Sequence, residues 1–308
     1  MSQTLDNFTY ESQNFTFPKN CIIYNNVSDF VKKNIKFIKK NNNIVVFLLN
    51  RLGGFGSALL MHIQNEIFLK YQNPNITVIP HFSQNSELFK YHEECCPNSF
   101  FLYFENKICN NIRNKKIFIV RASEIKELPF YNYCVPIVNN YVNLSFIKYF
   151  NNNYELKIGE NIKNYIQDLR NKNNMPLIGI HIRSIFQKKL EYSDYLKVSI
   201  DDRLQKLSET LNNKYDNYTT FIATDVESYI TLVKKYLKNV CYLDYISRIE
   251  NDYTDSIPLL ENHKGFKLGS DILYDCLGLS LCDEIYVSGS NVPFIVSLLN
   301  ENIKMQEY

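Results

Sequence analysis

Unbroken apolar runs alternate with stretches whose apolar positions recur at helical spacing, and the alternation continues along most of the chain. The first run, Ile44–Leu49, has no polar residue, the pattern of a strand buried on both faces as in a parallel sheet. It leads into Asn50-Arg51-Leu52-Gly53-Gly54-Phe55-Gly56 and then a helix predicted over 57–71, with Leu59, Leu60, Ile63 and Ile67 on one side. Further strands are predicted over 76–80 and 117–120.

The second half repeats the theme. Helices are predicted over 162–171, 200–211, 226–237, 270–281 and Val292–Leu299. They alternate with strands at Leu177–Ile182, 219–223, 240–243 and Glu284–Val287, and a polar loop spans 247–267. Strand, helix and strand again is the order of α/β domains on parallel sheets, and the C-terminal half reads as Rossmann-like. The polar, weakly periodic FNNNYELKIGE near 149–160 sets the expected boundary, giving domains 1–155 and 156–308, the first carrying a polar N-terminal extension. That extension, the asparagine-rich first forty residues, reads as a tail or an ordered cap.

Composition narrows the function classes. With 308 residues, two domains are the natural division. Apolar residues are 45% and charged residues 21%, enough to bury a core, which excludes a disordered or fibrous chain. A net charge of +2 gives no field that calls for nucleic acid. No run approaches the roughly 20 apolar residues of a membrane span. The polar start, MSQTLDNFTYESQNFTF, has no leader pattern, so a cytoplasmic protein without a transmembrane segment is expected. Eight cysteines without a CxxC pair read as reduced thiols, and no His sits at zinc-ligand spacing from them, so no metal site is expected.

The candidate chemistry lies where strands meet helices. Gly54, Phe55 and Gly56 follow a strand, in a loop that is either a tight turn or a place where backbone amides and a helix start approach an anion or a sugar. No Gly-Lys-Ser/Thr follows, so it is not a P-loop; GFGSAL is a poor dinucleotide fingerprint, which argues against a dehydrogenase. His181 and Arg183, two apart at a strand end, point to one side. At the carboxyl edge of a parallel sheet they face a ligand crevice, where a guanidinium suits phosphate; the alternative is a core histidine and a surface arginine. Asp225 stands at the next helix start, where aspartate is a good N-cap in any protein. Asp271 and Asp275 are four apart on a predicted helix, and Ser288, Gly289, Ser290 and Asn291 make another strand-to-helix turn. Four such turns on successive strand ends point to a nucleotide.

GGFGSALLMH, IGIHIRS, FIATD and SDILYDCLGLSLCDEIYVSGS, in that order, resemble the motifs of fucosyltransferases of the α1,6-linking and nodulation type, with α1,2-linking and protein O-fucosyltransferase relatives. The resemblance spans roughly residues 44–300, mostly as islands. It implies a GT-B-like α/β fold of two Rossmann-type domains facing a central cleft, a GDP-fucose donor, a glycan or glycoconjugate acceptor, inversion at the anomeric carbon, and neither metal nor cofactor. No Asp-x-Asp pair occurs in the chain, which agrees with that metal independence. By the same resemblance Arg183 binds the donor β-phosphate, His181 and Asp271 contact guanine, and Ser290 or Asn291 touches the pyrophosphate. Asp225 lies near the donor, and Glu191, ten residues past His181, falls where the base is placed. The family pattern H-x-R-R-T-D-K continues here as Ser184-Ile185-Phe186-Gln187, with Lys188 or Lys189 as replacements for the lysine.

Transfer of fucose to a sugar hydroxyl would need a growing diphosphate charge stabilised by Arg183 and backbone amides, and a carboxylate base. Glu191 is the first candidate for that base and Asp194 the second. Another nucleotide-sugar donor, or a non-catalytic nucleotide- or glycan-binding protein of the same fold, are the competing readings.

Overall fold

The structure, a computed structural model, describes residues 23–49, 55–81, 100–106, 115–123, 125, 137–138, 141–142, 144–184, 198–251, 265–288 and 290–308. The chain divides into two compact units, Met1–Lys157 with Lys264–Gly269, and Ile158–His263 with Ser270–Tyr308.

The first unit contains β1 (Ile23–Tyr24), α1 (Val27–Lys40), β2 (Ile44–Leu49), α2 (Phe55–Gln72), β3 (Thr77–His81), α3 (Phe100–Tyr103), β4 (Phe104–Asn106), β5 (Lys116–Arg121), β6 (Ile137–Val138), β7 (Tyr141–Val142), α4 (Leu144–Asn153) and β8 (Tyr154–Leu156). Four strands make a parallel sheet in the order β1-β5-β2-β3. Alternate residues of β2 serve opposite faces: Ile44, Val46 and Leu48 join one core cluster with Val78 and Val120. Onto that cluster pack Val27, Phe30 and Ile38 of α1, with Phe68 and Leu69 of α2. The start of α1 is fixed by Asn26, whose Oδ1 accepts from the Asp29 amide at 2.7 Å, and Lys39 and Lys40 complement the dipole at its end. Part of the asparagine-rich extension is therefore an ordered helix on the sheet.

The second unit contains α5 (Glu160–Asn173), β9 (Leu177–Ile182), α6 (Ile200–Lys214), β10 (Thr219–Thr224), α7 (Glu227–Tyr236), β11 (Val240–Cys241), α8 (Gly265–Ser280, of which the residues up to Gly269 count with the first unit), β12 (Glu284–Val287), α9 (Val292–Leu299) and β13 (Lys304–Glu307). Its five strands are parallel in the order β11-β10-β9-β12-β13, which by chain order reads 3-2-1-4-5, the Rossmann arrangement. The order reverses between β9 and β12, and in open α/β sheets such a reversal, at the carboxyl ends of the strands, is where ligands bind. Ile178, Ile180 and Ile182 face Leu204, Leu207 and Leu211 of α6 and Ile230 and Val233 of α7. On the opposite face α8 comes so close that a Cβ on Gly278 would lie 2.3 Å from Phe221 Cζ, and one on Gly179 would lie 2.9 Å from Leu279 Cδ2.

The expected parallel α/β architecture holds. Two local readings change. The helix expected from 270 starts at Gly265, shortening the polar loop. The stretch 149–160 carries the end of α4, all of β8 and the first residue of α5.

Candidate functional site

Three neighbouring strands of the second unit end at one level, with Ala223 and Val287 both paired to His181. Just past these ends, a hydrogen-bonded group forms. Arg183 Nη1 donates to Asp225 Oδ2 at 2.8 Å, and the Ser184 amide donates to Asp225 Oδ1 at 3.1 Å. The Arg183 amide donates to Ser288 Oγ at 3.1 Å, and the Ser288 amide donates to the His181 carbonyl at 3.2 Å. Both bonds to Ser288 bridge β9 and β12, across the point where strand order reverses. The His181 side chain is buried. Its carbonyl also accepts from Tyr308 Oη at 3.2 Å.

Asp225 does not cap α7. The cap position is Val226, with no side-chain bond, and its amide is taken by Thr224 Oγ1 at 3.2 Å. The aspartate is thereby left to hold Arg183 and the turn after β9. The side chains of the pair are 35% and 19% exposed, so the guanidinium stays at the edge of water. Among the described residues Nη1 alone of its nitrogens is engaged, which leaves donors for a second oxyanion.

Beneath this edge lies a second arginine that sequence patterns did not single out. The Ile249 amide donates to the Asp225 carbonyl at 3.0 Å and the Glu227 amide to the Ile249 carbonyl at 2.7 Å, tying this segment to the end of β10. Arg248 is consequently drawn inward, its side chain 2% exposed. Its Nε donates to the Thr224 carbonyl at 3.2 Å, Nη1 to the Ile246 carbonyl at 3.3 Å, and its guanidinium lies 5.4 Å from the Tyr242 ring centre. On α8, Asp271 Oδ2 accepts from the Ser247 amide at 3.0 Å. Asp275, one turn on, is half-buried with its Oδ1 away from water, and its carboxyl is pushed up to about 8; burial is the main cause, Arg248 opposes it, and Asp271 and Asp225 add to it.

The other candidates sit elsewhere or outside the described residues. Ser290 Oγ accepts from the Val292 amide at 3.1 Å, serving the start of α9, and Asn291 is its exposed cap residue. Phe55 and Gly56 form the first turn of α2 in the first unit, where the Phe55 ring meets Tyr103 edge-on at 5.0 Å. Gly54, Glu191, Asp194, Lys188, Lys189 and Gly289 lie outside the described residues. Among the described residues no group of three His, Cys, Asp or Glu is arranged to hold a metal ion, and no helix is long and apolar enough to cross a membrane.

No protein-family model matches the sequence, and no curated protein matches it. Solved structures do. NodZ alpha-1,6-fucosyltransferase co-crystallised with GDP aligns at a TM-score of 0.50 and 12% identity, over 83% of this chain and 92% of that chain. Fucosyltransferase NodZ from Bradyrhizobium aligns at 0.48, with 12% identity and the same coverage of 83% and 92%. A family 9 glycosyl transferase from Veillonella parvula aligns at 0.38 and 9% identity, over 87% and 81%. With its two parallel-sheet α/β units, the chain has a GT-B-type fold of the kind seen in the GDP-bound fucosyltransferase. At 12% identity the likeness is one of fold.

Proposed function

We propose that this chain is an inverting, metal-independent glycosyltransferase that moves L-fucose from GDP-fucose onto a hydroxyl of a glycan or glycoconjugate. The observation that carries the reading is Arg183 at the strand-order reversal of a Rossmann-type sheet, clamped by Asp225 through Nη1 and still partly exposed to water. A nucleotide-sugar donor leaves as a diphosphate, whose charge grows as the glycosidic bond breaks. A guanidinium held in advance stabilises that charge without reorganising during the step. Ser288, tied to both Arg183 and His181, keeps the two strand ends in register beneath it. His181 and Asp271, in the roles the sequence resemblance gives them, contact the guanine, while Ser290 and Asn291 stand by the pyrophosphate.

The acceptor hydroxyl needs a base as it attacks. Glu191 takes that role, with Asp194 as the substitute. The likeness to a structure holding GDP supports the choice of donor.

The test is GDP release by the full chain from GDP-fucose, alongside a panel of other nucleotide sugars. The expected result is turnover of GDP-fucose that Arg183→Ala abolishes, together with weakened GDP binding. Turnover confined to another donor would reassign the sugar. A near-normal rate in Arg183→Ala would overturn the assignment of the leaving-group site. GDP binding without turnover of any donor would leave a binding protein of this fold.

A further inference from the structure

Arg248 and Asp275 take no part in the chemistry above, yet they occupy its foundation. The Arg248 side chain is 2% exposed; its Nη1 lies 4.0 Å from Glu227 Oε2, and its Nη2 is buried with no hydrogen-bond partner among the described residues. Asp275 Oδ1 is likewise buried without one. Buried polar atoms are nearly all hydrogen-bonded, so two such atoms beside one site call for a reason. The two groups sense each other, and both lie near Asp225, the residue that clamps Arg183.

Resting on the nucleotide-diphosphate reading of this site, we propose that Arg248 is its second, buried cation, attracting the bound anion through its field, and that Asp275 is a positioning acid that decides whether this charge is cancelled. With Asp275 protonated, Arg183 and Arg248 face Asp225, Asp271 and the exposed Glu227, whose Oε2 lies 4.0 Å from Arg248 Nη1, and Asp275 adds no further charge before an anion arrives. Ionisation of Asp275 adds a negative charge in a low-dielectric place, where it opposes a diphosphate. The groups facing Asp275 are Arg248 on the segment after β11, Asp225 at the end of β10, Asp271 and Cys276 on α8, and Tyr245 in the turn after β11. Burial holds the Cys276 thiol well above its ordinary range and raises Tyr245, so neither titrates before Asp275. Raised to about 8, the Asp275 carboxyl loses its proton within the reach of a binding assay.

Calorimetric binding of GDP by the full chain, from about pH 7 to about pH 9, tests this in the parent, Asp275→Asn, Arg248→Gln and Arg248→Lys. Affinity of the parent is expected to fall about tenfold across the window, the scale of one added charge close to a partly buried anion. Asp275→Asn is isosteric and should lack that fall; comparing the two profiles cancels the titration of GDP itself. Arg248→Gln is expected to bind about tenfold more weakly at neutral pH, with Arg248→Lys between it and the parent. Profiles of the same slope in parent and Asp275→Asn would overturn the proposal even if Arg248 variants fail to fold. So would a folded Arg248→Gln with parental affinity. If the parent binds neither GDP nor pyrophosphate at any pH, the nucleotide reading fails and this inference falls with it, an outcome distinct from pH-independent binding.

Discussion

Gly278→Ala puts the packing beneath the site to a quantitative test. A methyl at this position of α8 would stand 2.3 Å from Phe221 Cζ and 2.6 Å from Cε1. Carbon contacts are favourable near ~3.5–4.0 Å, so the methyl arrives more than an ångström too close. The ring cannot step aside cheaply. Phe221 is fully buried in β10, paired opposite Gly179 of β9, and space over Gly179 is already taken by Leu279, Ile285 and Cys282. Overpacking of this kind costs about 1–3 kcal/mol. Replacing glycine inside a helix returns about 1 kcal/mol of helix propensity. With contact to a rigid ring, packing should win, leaving a net loss of up to about 2 kcal/mol, measured as a lower urea midpoint at unchanged slope. Phe221→Leu shortens the opposing side chain, so the double variant should be more stable than the sum of the single effects by about 1 kcal/mol. Because α8 also carries Asp271 and Asp275, Gly278→Ala should weaken GDP binding as well. A Gly278→Ala protein as stable as the parent, with no coupling to position 221, would refute this packing argument.

Three further outcomes are expected. Asp225→Asn puts an amide N–H₂ where one of two donors now points, so the Arg183 clamp loosens and GDP should bind about tenfold more weakly by calorimetry, with Asp225→Ala worse. Glu191→Gln should keep GDP affinity and lose turnover by about 10²-fold; if both survive, Asp194→Asn becomes the variant to measure. In the first unit burial lowers His62 to about 3 and His81 to about 4, while it raises Glu66, bonded to Tyr154, to about 7. The unfolded chain then takes up two histidine protons below about pH 6.5, each removing stability as pH falls, whereas protonation of Glu66 restores some. Asp275, at about 8 in the fold, is likewise protonated there and ionised in the unfolded chain, so the two carboxyls offset the two histidines and stability should change little approaching about pH 5, whereas Glu66→Gln should lose stability toward about 1.4 kcal/mol per pH unit in urea titrations.

How much of this was legible depended on whether a residue's role was set by its neighbours in sequence. The fully apolar runs of β2, β9 and β12 and the helices between strands of the second unit are visible in the chain because burial on both sides writes itself into residue type. α1 escaped notice although Val27, Phe30, Val31 and Ile38 follow Asn26 at helical spacing; the abundance of Asn and Lys around them masked the stripe. β13, with the sequence KMQE, lies at a sheet edge where polar side chains are tolerated, so it has no apolar signature. The early start of α8 was hidden by its glycines, which sequence rules treat as breakers. Gly269 is there because a Cβ would come 2.2 Å from Tyr103 Oη, a tertiary reason. The site divides in the same way. Arg183, Asp225 and Ser288 stand at strand ends that periodicity locates. That Asp225 clamps an arginine instead of capping a helix could not be read, since both uses have the same local spacing. Arg248 had no motif at all; a backbone pairing of Ile249 with the end of β10 brings it in.

The chemistry proposed for the leaving group and the chemistry proposed for the acceptor are thus carried by different kinds of structure, which makes them separable by experiment. The anion side is over-determined: residues from the ends of β9, β10 and β12, from α8 and from the segment after β11 hold one another through backbone as well as side-chain bonds. Removing one partner there should change the energy of the bound diphosphate, and hence affinity and rate together, because the same contact acts before and during bond breaking. A base touches the acceptor proton only as the bond forms, so its loss should appear in turnover and leave GDP affinity alone. Variants of Arg183, Asp225 and Arg248 should therefore fall in one group and those of Glu191 or Asp194 in another. If the two groups behaved alike in both readouts, the division of labour on which the transferase mechanism is built would not exist.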